Sequence, residues 1–180
     1  MNKLNKNVKN SLNLVWLIVT VICVIITYYC MKAKATDNYK QILQVAAEDC
    51  SLEITKLLVK DILDMHNTPN VGSKALIYSA RKNCLEVMKF LITEEVNVNV
   101  IDDSTYQRTA LHHATYEGHL EIVRFLLEKG ANPNIKDDDG KTPRTVAVLR
   151  SRHNKDKPYD EIISLLYNAE KQMQSSVVKP

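Results

Sequence analysis

Apolar residues recur at helical spacing in two short runs between Thr109 and Gly130, and Gly118-His119 separates the runs. Thr109 suits the N-cap of a first helix, because its hydroxyl can accept a backbone N–H that has no partner within the helix. Gly118 and Gly130 each follow an apolar run, where the end of a helix requires a residue that tolerates left-handed backbone geometry. The pattern therefore predicts two short helices, with the second at residues 120–127.

The same pattern recurs along the chain. Thr142-Pro143 repeats Thr109-Ala110 at an offset of 142 − 109 = 33. Residues 75–103 align with residues 110–138 without a gap, at an offset of 110 − 75 = 35. Further upstream, residues 43–59 align with residues 111–127. One unit of this size cannot bury its own apolar stripe, so the repetition predicts neighbouring units that stack on one another.

These motifs resemble the ankyrin repeat family, whose period is about 33 residues and whose signature is T-P-L-H-x-A. In this sequence the signature stands as TALHHA at residues 109–114 and as TPRTVA at residues 142–147. The resemblance implies an all-α solenoid of about four helix-turn-helix repeats, at residues 39–73, 74–108, 109–141 and 142–170, with a flexible tail at residues 171–180. A helical bundle with evenly spaced hairpins is the alternative.

A long uncharged stretch precedes the repeats. At 1.5 Å per residue, residues 12–31 span roughly 30 Å as a helix, which matches the hydrocarbon core of a bilayer. Trp16 lies near one end of the stretch and Tyr28 near the other, where amphipathic rings favour the membrane interface. The sequence predicts a transmembrane helix at residues 12–31, between a basic segment at residues 1–11 and a linker at residues 32–38.

Cleavage as a signal peptide is an alternative to the membrane anchor. A Lys-rich start, an apolar run and Ala33-Lys34-Ala35 before Thr36 follow the pattern of a secretory signal. The run is longer than the ~7–15 residues that are usual for the apolar part of a signal, which favours retention. Cleavage near Ala35 would instead release a soluble, secreted protein.

The side of the membrane on which the repeats lie stays open at this point. Lys3, Lys6 and Lys9 precede the apolar stretch, whereas Lys32 and Lys34 follow it. The small excess of lysines before the stretch slightly favours a cytoplasmic N-terminus, which would place the repeats on the opposite side of the membrane. The resemblance implies the reverse, because ankyrin domains are mostly cytosolic.

Charge and cysteine content narrow the classes of function. The chain has 24 basic and 21 acidic residues, and residues 1–10 contribute three lysines and no acid, so the remainder is balanced at 24 − 3 = 21 against 21. Because the remainder is balanced, its charge does not suggest a nucleic-acid surface. The four cysteines form no C-x-x-C pair. Cys50 and Cys84 lie in adjacent repeats, and helices of neighbouring repeats stack about 8–10 Å apart, farther than a disulfide easily spans. We therefore expect free thiols.

Candidate catalytic and metal-binding residues have structural interpretations. His112 and His113 are adjacent and cannot face one ion from the same side of a helix, and His119 lies beyond a turn. The resemblance places His112 in a structural hydrogen-bond network. Residues 137–140 lack the alternating oxygen ligands and the closing Glu of a calcium-binding loop. Their Asp and Gly residues favour a finger turn, which is a turn in the loop between two repeats. We predict no catalytic, cofactor-binding or metal-binding residue; an enzyme or enzyme subunit that uses the polar insertion at residues 150–158 is a remote alternative.

The resemblance implies that partners bind at two places in each repeat. These are the tip of the extended loop between repeats, called the finger, and the exposed side of the first helix. The function expected is therefore protein–protein interaction without catalysis, with a monomeric repeat domain that is tethered to a lipid bilayer. Tyr and Arg anchor interfaces most often, because they bury much area and also form hydrogen bonds. The corresponding positions here are Ser73, Arg81, Lys82, Tyr106, Arg108, Tyr116, Glu117, Asp138, Asp139, Lys141 and Arg150. We expect Arg81, Tyr106, Arg108 and Tyr116 to form the central cluster.

Overall fold

The computed structural model describes residues 41–66, 72–102 and 106–177 of the chain. They belong to one compact unit, Gln41–Pro180. The predicted basic segment, transmembrane helix and linker, together with Cys23 and Cys30, lie outside the described residues. Within those ranges, no helix is both long and apolar enough to cross a bilayer.

The described residues form eight helices and no strand, which gives the predicted all-α class. Consecutive helices form four pairs, and each pair packs on the next, with α3 on α5, α5 on α7, α2 on α4 and α6 on α8. This is the stacking that the repeated pattern predicts. The bounds are α1 41–48, α2 Leu52–His66, α3 Ser73–Lys82, α4 Leu85–Thr93, α5 Ala110–Glu117, α6 Leu120–Glu128, α7 Pro143–Ser151 and α8 Tyr159–Val177.

The predicted helix ends are confirmed in pairs 3 and 4. The Thr109 hydroxyl accepts a hydrogen bond from the His112 backbone N–H at 3.4 Å, which caps α5. Gly118 ends the same helix in the left-handed region at φ 74°. Thr142 caps α7 in the same way, with Pro143 at the first helical position, where a missing N–H costs least.

The prediction of free thiols at Cys50 and Cys84 is wrong, because the two residues form a disulfide between pairs 1 and 2. Their Cα atoms lie 5.1 Å apart, which suits a disulfide. The prediction used the distance between helix axes, but neither cysteine lies within a helix. Cys50 lies in a left-handed turn after α1 at φ 55°, and Cys84 is the residue before α4. The turns of neighbouring pairs therefore approach each other more closely than the helix axes do.

The insertion before α8 packs against the C-terminal end of α5. The Lys157 ammonium donates a hydrogen bond to the Glu117 carbonyl, and the Tyr159 hydroxyl donates to the Tyr116 carbonyl at 2.8 Å. These bonds satisfy carbonyl groups that have no partner within α5. Helix α8 continues to Val177, into the segment predicted as a tail.

Candidate protein-binding surface

His112 lies in the structural network that the resemblance implied. Its Nδ1 accepts a hydrogen bond from the Thr109 backbone N–H at 3.3 Å and contacts the Thr109 hydroxyl at 2.8 Å. Since Nδ1 accepts, Nε2 carries the proton and donates to the Lys141 carbonyl at 3.1 Å. Burial lowers the pKa of His112, which favours this neutral form. Nδ1 therefore bonds within pair 3, and Nε2 joins pair 3 to the turn that precedes pair 4.

Asp137 organises that turn. One carboxylate oxygen accepts hydrogen bonds from the backbone N–H groups of Asp139 and Lys141, at 3.1 Å and 2.9 Å. The other oxygen accepts from Arg108 Nε at 3.1 Å. Burial raises the pKa of the Asp137 carboxyl, but the bonds from Lys141 and Arg108 outweigh burial and hold the pKa below its usual value. The carboxylate serves the predicted finger turn, and among the described residues no group of three or more His, Cys, Asp or Glu side chains is arranged to hold a metal ion.

Tyr106, Arg108, Tyr116 and Arg150 form an alternating stack, which we call the arginine–tyrosine ladder. The Arg108 guanidinium lies 4.8 Å from the Tyr106 ring centre and 5.4 Å from that of Tyr116. Arg150 lies 4.1 Å from the Tyr116 ring centre on the side of pair 4, and its Nε donates to the Tyr116 carbonyl at 3.2 Å. Such cation–π contacts stabilise by about 0.5–1 kcal/mol each at exposed sites. The ladder therefore links a finger, α5 and α7.

The members of the ladder differ in how much of each side chain is exposed to a partner. Arg108 is half-buried and bonded to Asp137, whose side chain is fully buried, and Tyr116 is half-buried with Arg150 against its ring. Tyr106 remains 51% exposed at the end of the ladder. Arg108, Tyr116 and Arg150 thus hold the surface in place, whereas Tyr106 is the member of the ladder that a partner can contact.

A pocket of about 230 Å³ adjoins Tyr106, and we call it the α3 pocket. It lies between α3 and the chain that enters α5. Arg81 lies 5.7 Å from the Tyr78 ring centre, and His113 Nε2 donates to the Asp102 carboxylate at 2.7 Å. Burial lowers the pKa of His113 although Asp102 opposes this, so the imidazole is favoured in its neutral form. The lining residues are Lys74, Ile77, Tyr78, Arg81, Asp102, Tyr106 and His113.

The remaining predicted site residues lie around this surface. Lys82 is exposed beside Arg81 at the end of α3, and Glu117 is partly exposed at the end of α5. Asp138 and Asp139 are exposed on the next finger, where the Asp138 backbone N–H donates to the Tyr106 carbonyl at 3.0 Å. The Lys141 ammonium pairs with Asp139 at 2.7 Å. Ser73 is buried, so its predicted exposure is wrong: it begins α3 inside the stack.

Sequence reasoning missed the α3 pocket itself. Tyr78 and His113 occupy the same position of two adjacent repeats, since 113 − 78 = 35, which is the offset of the alignment. Because this position carries an aromatic ring in one repeat and an imidazole in the next, it could have been recognised from the sequence as part of a candidate site. The pairing of His113 with Asp102 could not be found this way, because it depends on how the finger turns back.

Comparison with known proteins agrees with this architecture. The family model described as ankyrin repeats (3 copies) matches residues 9–102, 42–137 and 94–175, which together cover more than half of the chain. The chain belongs to the ankyrin repeat family. Membership of this family indicates a role in protein–protein interaction. No curated protein matches the chain significantly.

Proposed function

We propose that this protein is a membrane-tethered binding module that holds a partner protein at the α3 pocket and Tyr106, and that it performs no catalysis. The exposed Tyr106 ring beside a pocket is the observation that carries the proposal. Tyrosine and arginine are the side chains that most often dominate binding free energy, especially where they flank a pocket. Arg81 and Lys74 supply cationic side chains on the α3 side of the pocket.

The ladder supports the proposal because it fixes the Tyr106 anchor before a partner arrives. The Tyr106 carbonyl accepts from Asp138, and its ring lies against Arg108, which is itself bonded to the buried Asp137. A side chain that is already ordered loses less conformational entropy on binding, so more of its contact energy contributes to affinity.

Photo-crosslinking from position 106 in the full chain identifies the partner, and titration with that partner then tests the site. Tyr106→Ala with Arg81→Ala should weaken binding by about 30-fold, since truncation of a hot spot costs about 2 kcal/mol or more. Tyr167→Ala is the matched control, because Tyr167 is 46% exposed and also lies near two cations, Arg144 and Lys171. Unchanged affinity in the double variant, or equal loss in the control, contradicts the site.

The membrane tether is the second part of the proposal, with a basic segment at residues 1–11, a span at 12–31, a linker at 32–38 and the repeats from residue 39 onward. The uncharged length of the span and its interfacial aromatic residues support it. The Cys50–Cys84 disulfide supports repeats on the non-cytosolic side, because disulfides persist in oxidising compartments. The basic N-terminus favours the same orientation.

Protease protection of a C-terminally tagged chain in sealed membranes tests the tether and its orientation. We expect an intact N-terminus in the membrane fraction and a tag protected from cytosolic protease, with Cys50 and Cys84 resistant to alkylation unless reduced. A tag that is digested from the cytosolic side refutes the orientation. A soluble product that starts at Thr36 refutes the anchor and indicates a secreted interaction module.

A further inference from the structure

One end of the stack exposes side chains of the kind that its interior buries. Ile54, Val87 and Ile122 hold the same position in pairs 1, 2 and 3, since 87 − 54 = 33 and 122 − 87 = 35. Val87 is 1% exposed and Ile122 0%, but Ile54 is 48% exposed. Ile42 is 43% exposed, although its counterpart Ala75 is buried. Pair 1 therefore carries apolar residues at positions that a preceding pair would cover.

The neighbouring positions show which side of the pair is uncovered. Thr55, next to Ile54, is fully buried. At the other end of the stack the order is reversed, since Ile162 is fully buried and Ile163 is half-buried. Ile162 holds the place of Ile54 because each directly follows a glutamate in the first turn of its helix, Glu161 and Glu53. Ile54 and its counterparts in the other pairs thus face the preceding pair, whereas Thr55 and its counterparts face the next pair.

The exposed residues form a continuous stripe on both helices of pair 1, which we call the N-terminal end face. Val45 and Leu57 extend it, each three residues after Ile42 and Ile54, and both are exposed. Residues three apart lie on the same side of a helix. A solenoid normally closes each end with a polar outer face, as α8 does here with exposed Asp160, Glu161 and Ser164. The end face of pair 1 has the opposite character, which marks it as a contact surface.

We propose that the N-terminal end face lies against the apolar boundary of the lipid bilayer; this rests on the membrane tether proposed above. Ten residues, 32–41, separate the predicted span from Ile42 and reach at most about 35 Å when extended. Along the chain, the residues of this face are therefore the first of the described unit to follow the predicted span. Exposed apolar side chains of paired helices can enter the boundary between headgroups and acyl chains.

The charges around the face predict the chemistry of this contact. Residues 41–60 contain three acids, Glu48, Asp49 and Glu53, and two bases, Lys56 and Lys60. Lys56 also pairs with Glu53 at 3.0 Å. Since this segment has no excess of positive charge, the contact depends on apolar burial and does not require anionic lipid.

Methyl NMR of the full chain in nanodiscs of neutral phospholipid tests the contact. Isoleucine δ1-methyl groups are labelled, and a doxyl spin label on the lipid acyl chain broadens the signals of methyls that lie close to it. We expect broadening at Ile42 and Ile54, and none at Ile101, which is a matched control because it is 47% exposed on a finger between pairs 2 and 3. Ile18 and Ile25, in the predicted span, report separately on the tether.

The variant Val45→Glu with Leu57→Glu separates contact from mere proximity, because it leaves both reporters and the tether in place. An unchanged Ile122 signal shows that the variant is folded, and broadening at Ile42 and Ile54 should then fall to the level of Ile101. Undiminished broadening overturns the proposal, since the tether alone would explain it.

The other outcomes are also decisive. Broadening at Ile18 and Ile25 without broadening at Ile42 and Ile54 keeps the tether and overturns the contact. If none of the four is broadened, the tether fails and the contact fails with it. If chemical crosslinking instead yields a dimer that Val45→Glu with Leu57→Glu abolishes, a second copy covers the face and the bilayer contact is refuted.

Discussion

Reduction of the Cys50–Cys84 disulfide should detach helix pair 1 while the rest of the stack stays folded. Among the described side chains, no hydrogen bond or ion pair joins residues 41–60 to the later helices, so apolar packing and the disulfide hold this part of pair 1. Pairs 2 and 3 are joined differently. Asn99 accepts from the Asn132 backbone N–H at 2.7 Å, and His119 contacts the Arg81 carbonyl at 3.0 Å.

The length of the closed loop sets the magnitude. The two cysteines are 34 residues apart in sequence. A loop of this length removes about 13 cal/mol/K of chain entropy from the unfolded state, which corresponds to about 4 kcal/mol at 25 °C. Loss of the disulfide should therefore increase the opening equilibrium of pair 1 by a factor of up to about 500. Because each repeat of a solenoid contacts only its neighbours, the effect should decline along the stack.

Hydrogen exchange measured by mass spectrometry on the full chain, with and without reductant, checks this prediction. Peptides within residues 52–60 of α2 should lose protection, and those within residues 120–128 of α6 should keep it. Cys50→Ala should reproduce the effect without reductant, and reductant should then change nothing further. Equal loss of protection in α2 and α6, or no loss in either, would refute the reasoning, since the first means one cooperative unit and the second means that packing alone holds pair 1.

Three further predictions concern pairs 3 and 4. Arg108→Ala should destabilise the domain by about 2 kcal/mol at pH 7, because it removes a hydrogen bond to the buried Asp137 carboxylate. The pKa of Asp137 is lowered in the folded state, so this loss of stability should become smaller as the pH falls from above 4 through the folded pKa, as measured by urea titrations. Gly118→Ala should cost about 1–2 kcal/mol in thermal unfolding, because φ is 74° and a Cβ would lie 2.8 Å from Lys157 Cδ. Gly130→Ala has the same kind of backbone at φ 83° with no atom within 4 Å, so it should cost less, and an equal cost would show that crowding is absent. His112→Ala should destabilise by about 2–4 kcal/mol and flatten the loss of stability below pH 6.5 that follows from its lowered folded pKa.

Local signals account for the parts of the fold that the sequence predicts well. Thr109, Gly118 and Pro143 act within one turn of their own helix, so their caps can be assigned without knowledge of tertiary structure. The period predicts stacking because each apolar stripe requires a neighbour. By contrast, helix α8 beyond residue 170 has little apolar periodicity, and an exposed polar helix cannot be told from a tail by pattern alone.

Features that depend on approach between repeats escaped prediction. The disulfide depends on two turns that meet, and the distance between helix axes does not describe turns. The ladder depends on Arg150 reaching back across α5, which requires the position of α7 on α5. The sequence therefore identified Arg108 and Tyr116 as surface residues by their position in the repeat, but it could not show that they hold each other and Asp137 in place.

Among the described side chains, polar links between helix pairs become fewer from the C-terminal end of the stack toward the N-terminal end. Pairs 3 and 4 share the ladder, the His112 bond to Lys141 and the Arg124–Glu161 ion pair at 2.9 Å. Pair 1 is joined to pair 2 by apolar packing and one disulfide, and it exposes an apolar end face. The proposed binding surface thus lies on the pairs that are stable by their own contacts. Pair 1 is held by apolar packing and the Cys50–Cys84 disulfide, so a purified fragment without the membrane segment should, under reducing conditions, keep the partner site and lose order in pair 1.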